Sequence, residues 1–234
     1  MILLCLFILI IILVYIIIYS RKRTCERFHK YPHLFYINLK HRKDRLKHVT
    51  KQLENVQYPT EYIHRVEATR KKNGALGCGL SHIDALEQLH KTLKGKHDYG
   101  IIMEDDFTWK NDLQTTRKML KEIFELKKKD WNAILLTCNG YAKKNKNEGI
   151  LHQVGDCQTT TGYMIQKHYI PTLLQNFKEC VNQSTNVDEH KSIHTPIHHI
   201  DQYWKRLQKD KWYVTQPILG VQAQSWSDIM SNNF

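Results

Sequence analysis

Short apolar segments alternate with amphipathic segments along the first half of the chain. Residues 35–39, 62–66, 99–104 and 133–137 are predicted to form strands because they are short, apolar and bounded by charged or turn residues. Residues 42–56, 80–93 and 111–128 carry apolar side chains at helical spacing. This alternation predicts an α/β domain with a largely parallel central sheet, in which ligands bind beyond the carboxyl ends of the strands.

Three consecutive carboxylates follow the apolar strand in YGIIMEDDF, residues 99–107. Side chains alternate across a strand, so Glu104 and Asp106 are expected to project to one side and Asp105 to the other. Acids that converge raise each other's pKa or bind a cation, and a divalent ion with oxygen ligands is the usual partner. The alternative is a strand that emerges into water with its acids solvated.

The segment YINLKHRKDR places Asn38 at the end of the first strand and Arg42 and Arg45 at the start of the following helix. A helix start favours anions through its free N–H groups, and guanidinium groups add paired phosphate contacts. These cations therefore indicate a phosphate site, with a solvated basic helix face as the alternative.

The segment GALGCGLSH predicts a glycine-rich turn that leads into a helix. Gly77 and Gly79 form GxG, but the third small position falls on His82, so the dinucleotide fingerprint fails, and the chain holds no GxxxxGK[ST] phosphate loop. Without further context, Ser81 is interpreted as a helix cap and His82 as a packed core histidine.

The second half of the chain is less regular. Strands are predicted at 150–154, 163–165 and 212–215, with helices at 168–181 and 198–207. The segment IHTPIHHIDQYW does not have HExxH spacing, which argues against a zinc hydrolase. Its acid, Asp201, lies in a predicted helix beside two aromatic residues and has no obvious partner.

Residues 2–19 are apolar without a charge and end at Arg21, Lys22 and Arg23. Eighteen residues at about 1.5 Å each reach about 27 Å, close to the thickness of a bilayer core. We expect a single-pass membrane anchor at residues 1–20, a basic linker at 21–32 and a catalytic domain at 33–234, with a cleaved signal peptide as the alternative. The charge bias favours a cytoplasmic domain, whereas the sequon that begins at Asn182 would matter only in a lumen.

The formal net charge of +12 indicates an anionic partner, such as a nucleic acid, lipid headgroups or a nucleotide diphosphate. A membrane-tethered basic binding protein is one hypothesis, but it does not need three clustered acids, and no nucleic-acid partner is expected. The spacing of the cysteines implies neither a zinc site nor a disulfide framework and leaves the disulfide status open, since Cys78, Cys138, Cys157 and Cys180 are scattered without CxxC spacing.

The ordered segments YINLKHRKDR, GALGCGLSH, IIMEDDF, TTTGYMI and HHIDQYW together resemble glycosyltransferase family 25, which includes lipooligosaccharide and procollagen galactosyltransferases. The resemblance runs from about Leu34 to the C terminus. The ending GVQAQSWSDI also resembles family members from large DNA viruses and algae. Lys40 departs from the pattern, since the family often has an acid there.

The resemblance implies a GT-A-type nucleotide-binding domain and an inverting transfer from a Mn²⁺-bound UDP-sugar. Galactose is expected first, then glucose and N-acetylglucosamine, with a hydroxyl acceptor on a glycan, a lipid-linked or lipooligosaccharide glycan, or a protein. Glu104 and Asp106 are assigned to the metal, and Asp201 to the catalytic base with Asp228 in reserve. The residues assigned to donor binding are Asn38, Arg42, Arg45, Ser81, His82 and Asp105. An inactive family member that only binds its donor is the remaining alternative.

Overall fold

The computed structural model describes residue 12 and residues 31–126, 130–143, 149–185 and 199–223. The chain divides into two compact units, Met1–Tyr31 and Pro32–Phe234. Apart from Ile12, the predicted anchor at 1–20 lies outside the described residues, and so does most of the predicted linker. Among the residues described, no helix is long and apolar enough to cross a membrane.

An eight-stranded sheet forms the centre of the second unit, in the order β2-β1-β3-β8-β5-β9-β7-β6, and β4 and β10 form a separate two-stranded sheet. In chain order the strands are β1 (His33–Asn38), β2 (Ile63–Glu67), β3 (Tyr99–Glu104), β4 (Phe107–Trp109), β5 (Ala133–Leu135), β6 (Asn139–Ala142), β7 (Leu151–Gln158), β8 (Gly162–Gln166), β9 (Trp212–Thr215) and β10 (Gly220–Gln222). The helices are α1 (Lys43–Asn55), α2 (Gly74–Thr92), α3 (Leu113–Phe124), α4 (Ile170–Thr185) and the short α5 (Ile200–Tyr203).

The central sheet is mixed rather than largely parallel. Strands β2, β1 and β3 pair in parallel, and so do β5 and β9, but β8 is antiparallel to both of its neighbours and β7 is antiparallel to β9 and β6. Parallel neighbours need a long crossover, which α1 and α2 supply between β1, β2 and β3. Between β5 and β8 the described residues form strands instead, so the α/β class is confirmed but the strand directions differ from the expectation.

Helix α2 begins at Gly74, six residues before the predicted start, so the expected glycine-rich turn is wrong. Asn73 caps the helix, and its side-chain oxygen accepts from the Leu76 N–H at 3.2 Å. The glycines serve close packing. A Cβ on Gly77 would lie 2.6 Å from the Thr69 carbonyl oxygen, and one on Gly79 would lie 2.8 Å from a methyl group of Val181.

The hydrophobic core lies between the sheet and the packed pair α2 and α4. Phe35, Ile102 and Tyr163, from the adjacent strands β1, β3 and β8, are buried there, as are Trp204 and Trp212. This packing fixes the ends of β1 and β3 and the start of β8 relative to one another.

Cys138 and Cys157 form a disulfide with 5.2 Å between their Cα atoms, a bond that the spacing of the cysteines does not imply. The two residues are 19 positions apart and have no characteristic spacing. Antiparallel pairing of β6 and β7, in which Gly140 lies opposite Cys157, brings the bonded sulfurs together.

Candidate functional site

The carboxyl ends of β1 and β3 meet the amino end of β8 at one edge of the sheet. Ile37 is in register with Glu104 across β1 and β3, and the Glu104 N–H donates to the Thr161 carbonyl at 2.9 Å. Because β8 runs against β3, the threonines that precede β8 reach the acids that end β3. No local sequence pattern predicts this contact, since TTTGYMI alone indicates only a polar loop that enters a strand.

Glu104 is held by two side chains. Its Oε1 accepts from the Thr160 hydroxyl at 2.7 Å and lies 3.3 Å from His82 Nε2. Burial favours the neutral acid, but the hydrogen bond and charge of His82, with the Thr160 bond, outweigh it and hold the pKa of Glu104 below its ordinary value. His82 is itself fully buried, and its Nδ1 lies 3.2 Å from the Tyr163 hydroxyl.

Asp105 is buried among polar partners from β1 and α1. Its Oδ2 accepts from Asn38 Nδ2 at 2.7 Å, and its Oδ1 accepts from Arg45 Nη1 at 3.1 Å. Burial raises the pKa of Asp105, and the bonds to Asn38 and Arg45 only partly offset it. Asn38 therefore orients this acid, while its own Oδ1 accepts from Arg65 at 2.9 Å.

Asp106 keeps one buried oxygen open. Its Oδ2 lies 3.1 Å from Arg45 Nη1 and accepts from Gln222 Nε2 at 3.1 Å, whereas its Oδ1 has no hydrogen-bond partner among the described residues. Burial, followed by the negative charge of Glu104, raises the pKa of Asp106 to about 7. A buried carboxylate oxygen without a partner fits a site for a cation.

All three acids line the same cavity, of about 530 Å³. Strand β3 ends at Glu104, so the predicted alternation does not extend to Asp106, and the expectation that Asp105 faces away is wrong. Sequence reasoning also missed the loop after β2, which lines the cavity with Thr69, Arg70, Lys71 and Lys72. The sequence signal for this loop is the run of three cations at 70–72, shortly after a predicted strand.

Asp201 lies in a smaller adjoining cavity of about 100 Å³, which shares Cys78, Glu104 and Gln222 with the larger one. Its Oδ2 accepts from the Thr159 N–H at 3.1 Å. Thr159 has a φ of 83°, an uncommon value for a residue with a branched side chain, and this conformation turns the chain so that its N–H meets Asp201. The structure thus brings Asp201 beside the acid cluster but into a separate chamber.

The other assigned residues have varied positions. The Arg42 guanidinium pairs with Asp44 at 2.8 Å and lies outside both cavity linings as the described residues form them. Ser81 lines the large cavity but does not cap a helix. Its hydroxyl donates to the Gly77 carbonyl at 2.6 Å and accepts from the Thr69 N–H at 2.8 Å, which fastens the basic loop to α2. Asp228 lies outside the described residues, as do two of the histidines in the IHTPIHH segment.

Within the described part of the chain, two sets of side chains could hold a metal ion. One is the pair of carboxylates Glu104 and Asp106, which offers only oxygen. The other is Cys78, His82 and Glu104, whose ligand atoms all lie within 4.8 Å of one another.

Solved structures with a similar fold include a glycosyltransferase involved in the glycosylation of the major capsid of PBCV-1. That protein is 8% identical, with a TM-score of 0.54 over 85% of this chain and 95% of its own. GlyE from Streptococcus pneumoniae TIGR4 is also 8% identical, with a TM-score of 0.43 over 80% of this chain and 46% of its own, and adds nothing at that distance. The similarity to the PBCV-1 enzyme shows a glycosyltransferase-type α/β fold.

The sequence defines the family more closely. The model of Glycosyltransferase family 25 (LPS biosynthesis protein) matches residues 60–190, which is more than half of the chain. The protein therefore belongs to glycosyltransferase family 25, as its motifs predict. No curated protein matches the sequence.

The family match covers α2, the three acids and the threonines before β8. Asn38 and Arg45 precede it and Asp201 follows it, so the case for these three residues depends on their positions in the structure.

Proposed function

We propose that this protein is an inverting, metal-dependent glycosyltransferase that moves a hexose from a UDP-sugar to an acceptor hydroxyl. The observation that carries the proposal is the buried Oδ1 of Asp106, which has no hydrogen-bond partner among the described residues, in a residue that lines one cavity together with Glu104 and several cations. The cavity volume of about 530 Å³ is within the range of small-molecule sites.

Glu104 and Asp106 would hold the metal ion, with Mn²⁺ proposed. Hard divalent ions prefer carboxylate oxygens, and an ion at Asp106 would satisfy an oxygen that is otherwise costly to bury. When bound, the ion supplies positive charge that stabilises the diphosphate as it leaves the sugar.

The donor diphosphate would lie against the basic wall of the larger cavity. Arg70, Lys71 and Lys72 provide charge there, and the first turn of α2 provides N–H groups that favour an anion. Arg45 has a different part, because its Nη1 lies 3.1 Å from both Asp105 and Asp106 and holds the two acids side by side. Three other residues position their neighbours by hydrogen bonds or close polar contacts: Asn38 positions Asp105, Ser81 positions the basic loop, and His82 positions Glu104.

The acceptor would enter the smaller cavity, where Asp201 takes the proton of the attacking hydroxyl. Inversion in one displacement needs a base on the side opposite the leaving group. The larger cavity would hold the leaving diphosphate, and the adjoining smaller cavity would hold the acceptor and Asp201. Galactose is proposed ahead of glucose and N-acetylglucosamine because of the motif resemblance to galactosyltransferases. The acceptor proposed is a glycan, lipid-linked or protein hydroxyl.

We expect UDP-sugar hydrolysis and transfer to require a divalent ion. Chelation should abolish turnover of UDP-galactose, UDP-glucose and UDP-N-acetylglucosamine alike, and Mn²⁺ should restore it better than Ca²⁺, because a diphosphate needs compact coordination. Turnover that persists after thorough chelation would contradict the metal role of Glu104 and Asp106. Metal-dependent UDP binding without any turnover would indicate the inactive, donor-binding alternative.

We also propose that the transferase domain lies on the oxidising side of a membrane to which residues 1–20 anchor it. The disulfide between Cys138 and Cys157 supports this, because such bonds persist in lumenal and extracellular compartments. The charge bias around the anchor points to the cytoplasm, so the two signals oppose each other.

Peptide mapping decides between these locations. After thiols are blocked at cell lysis, the peptides of Cys138 and Cys157 should be recovered linked, while Cys180, a buried thiol outside the disulfide, should be labelled once the protein is denatured. Recovery of Cys138 and Cys157 as two blocked thiols would place the domain in a reducing compartment.

A further inference from the structure

We propose that Cys78, His82 and Glu104 form a second metal site, which takes a thiophilic divalent ion such as Zn²⁺ and inhibits the transferase when it is filled. The site differs from the proposed Mn²⁺ position in its chemistry, because it offers one sulfur, one nitrogen and one oxygen. Thiolate and imidazole ligands favour Zn²⁺, whereas Mn²⁺ prefers oxygen.

The three ligands converge from two elements. Cys78 and His82 are four residues apart on α2 and so lie on the same face of that helix, and Glu104 ends β3 beside it. Their ligand atoms all lie within 4.8 Å of one another, so a single ion can reach all three with side-chain adjustments alone. Three protein ligands leave a fourth position of a tetrahedral ion open toward the cavity.

The spacing of His82 and Glu104 suits zinc. Two ligands bound at about 2.0–2.1 Å to a tetrahedral ion lie about 3.3–3.4 Å apart. His82 Nε2 and Glu104 Oε1 are 3.3 Å apart, which is longer than a typical N–H···O hydrogen bond but matches that edge. The pair can therefore accept the ion almost without moving.

The second ring nitrogen of His82 also has the hydrogen-bond partner that a metal-bound histidine needs. Its Nδ1 lies 3.2 Å from the Tyr163 hydroxyl, which can either donate or accept. The Tyr163 hydroxyl can therefore stay the partner of Nδ1 whichever ring nitrogen carries the proton. With the ion bound, Nδ1–H donates to Tyr163, which leaves the Nε2 lone pair for the metal, as in the usual arrangement around ligating histidines. The Cys78 thiol loses its proton to solvent on binding.

Inhibition follows from the location. Cys78 and Glu104 line both the large and the small cavity, so an ion on them stands at the junction of the proposed donor and acceptor chambers. The same ion withdraws Glu104 from the oxygen site that it shares with Asp106. Filling the Cys78 site and filling the Mn²⁺ site are therefore expected to compete.

Cobalt spectroscopy on the chelator-treated, full-length protein tests the binding. One equivalent of Co²⁺ should produce a thiolate-to-cobalt charge-transfer band, which one equivalent of Zn²⁺ should remove. Cys78→Ala and the closer isostere Cys78→Ser should both lose the band. Cys180→Ala, which removes from α4 a buried thiol that is not in a disulfide, should keep it. A band that survives in both folded Cys78 variants, or its absence from the wild type, overturns the proposal.

Zinc titration in the transfer assay tests the inhibition. With Mn²⁺ saturating, stoichiometric Zn²⁺ should lower wild-type turnover at least about tenfold, and each Cys78 variant is compared only with itself, with and without Zn²⁺. Loss of zinc inhibition in these variants supports the proposal, and inhibition that is unchanged in them overturns it. The cobalt measurement does not depend on turnover, so its failure is distinct from a failure of the proposed transferase activity.

Discussion

Asp106→Asn is expected to lower metal-dependent sugar transfer by about 10²-fold or more while raising the stability of the metal-free protein at pH 8. The amide keeps the size of the side chain and its contact with Gln222, but it removes the charge that would bind the ion. It also removes a buried negative charge next to Glu104 and Asp105. Activity and stability should therefore change in opposite directions.

The stability gain should depend on pH in a defined way. The pKa of Asp106 is about 7 in the folded protein and about 3.9 in an unfolded chain, so the folded state holds the extra proton between those values. The contribution of Asp106 to the free energy of unfolding of the wild type accordingly falls as the pH rises from about 4 to about 7. Above that range the buried charge of Asp106 destabilises the folded state to its full extent. Asparagine does not titrate, so the advantage of the variant should grow across the same window.

Urea unfolding with chelator at pH 5 and pH 8 measures this effect. We expect a gain on the order of 1–3 kcal/mol at pH 8, less than the pKa shift alone would give, because Arg45 loses a charged partner. Asp112→Asn is the matched control, since that acid is an exposed helix cap and asparagine caps equally well. A loss of stability in Asp106→Asn at pH 8 would show that the acid is not strained.

Asp201→Asn is expected to lower transfer to the acceptor by about 10²-fold or more without weakening donor binding. The amide oxygen can still accept from the Thr159 N–H, so the chain should keep its local conformation. It cannot accept a proton from the acceptor hydroxyl. A metal ligand, by contrast, would lose metal-dependent UDP binding together with turnover.

Asp156→Asn is a suitable control for the Asp201 experiment. Asp156 is a half-exposed acid on β7 that pairs with Lys205, so its loss should alter neither transfer nor UDP affinity. Calorimetry with UDP and Mn²⁺ separates binding from catalysis in both variants. Wild-type transfer by Asp201→Asn would pass the role of base to Asp228 or to another acid.

The acids at the end of β3 could be found from the sequence because an apolar strand that ends in three carboxylates is a local pattern. Their geometry could not. Strand alternation places Glu104 and Asp106 apart from Asp105, but β3 stops at Glu104 and the next two residues turn, so that all three face one cavity. A rule about strand periodicity fails where the strand ends.

The partners of these acids depend on contacts between distant segments. Strand β8 is antiparallel because of how it pairs with distant strands of the sheet, and no local residue pattern predicts this direction. The sequence therefore predicts no role for Thr160, although its hydroxyl donates to Glu104. A cation at a helix start predicts a phosphate contact for Arg45, whereas its guanidinium bridges two acids that are some sixty residues away.

The hydrogen bonds around the three acids also bear on how the protein folds. Asp105 is joined to Asn38 across 67 positions, Glu104 to Thr160 across 56, and Asp106 to Gln222 across 116. Contacts between such distant segments form slowly, because each one closes a long loop of chain. A nascent polypeptide that has been synthesised only as far as β3 already carries the acidic motif, but it lacks every later residue that holds the motif in place. Assembly of the three acids with their partners is therefore a late folding step that requires nearly the entire domain. A truncated translation product should have no partial activity.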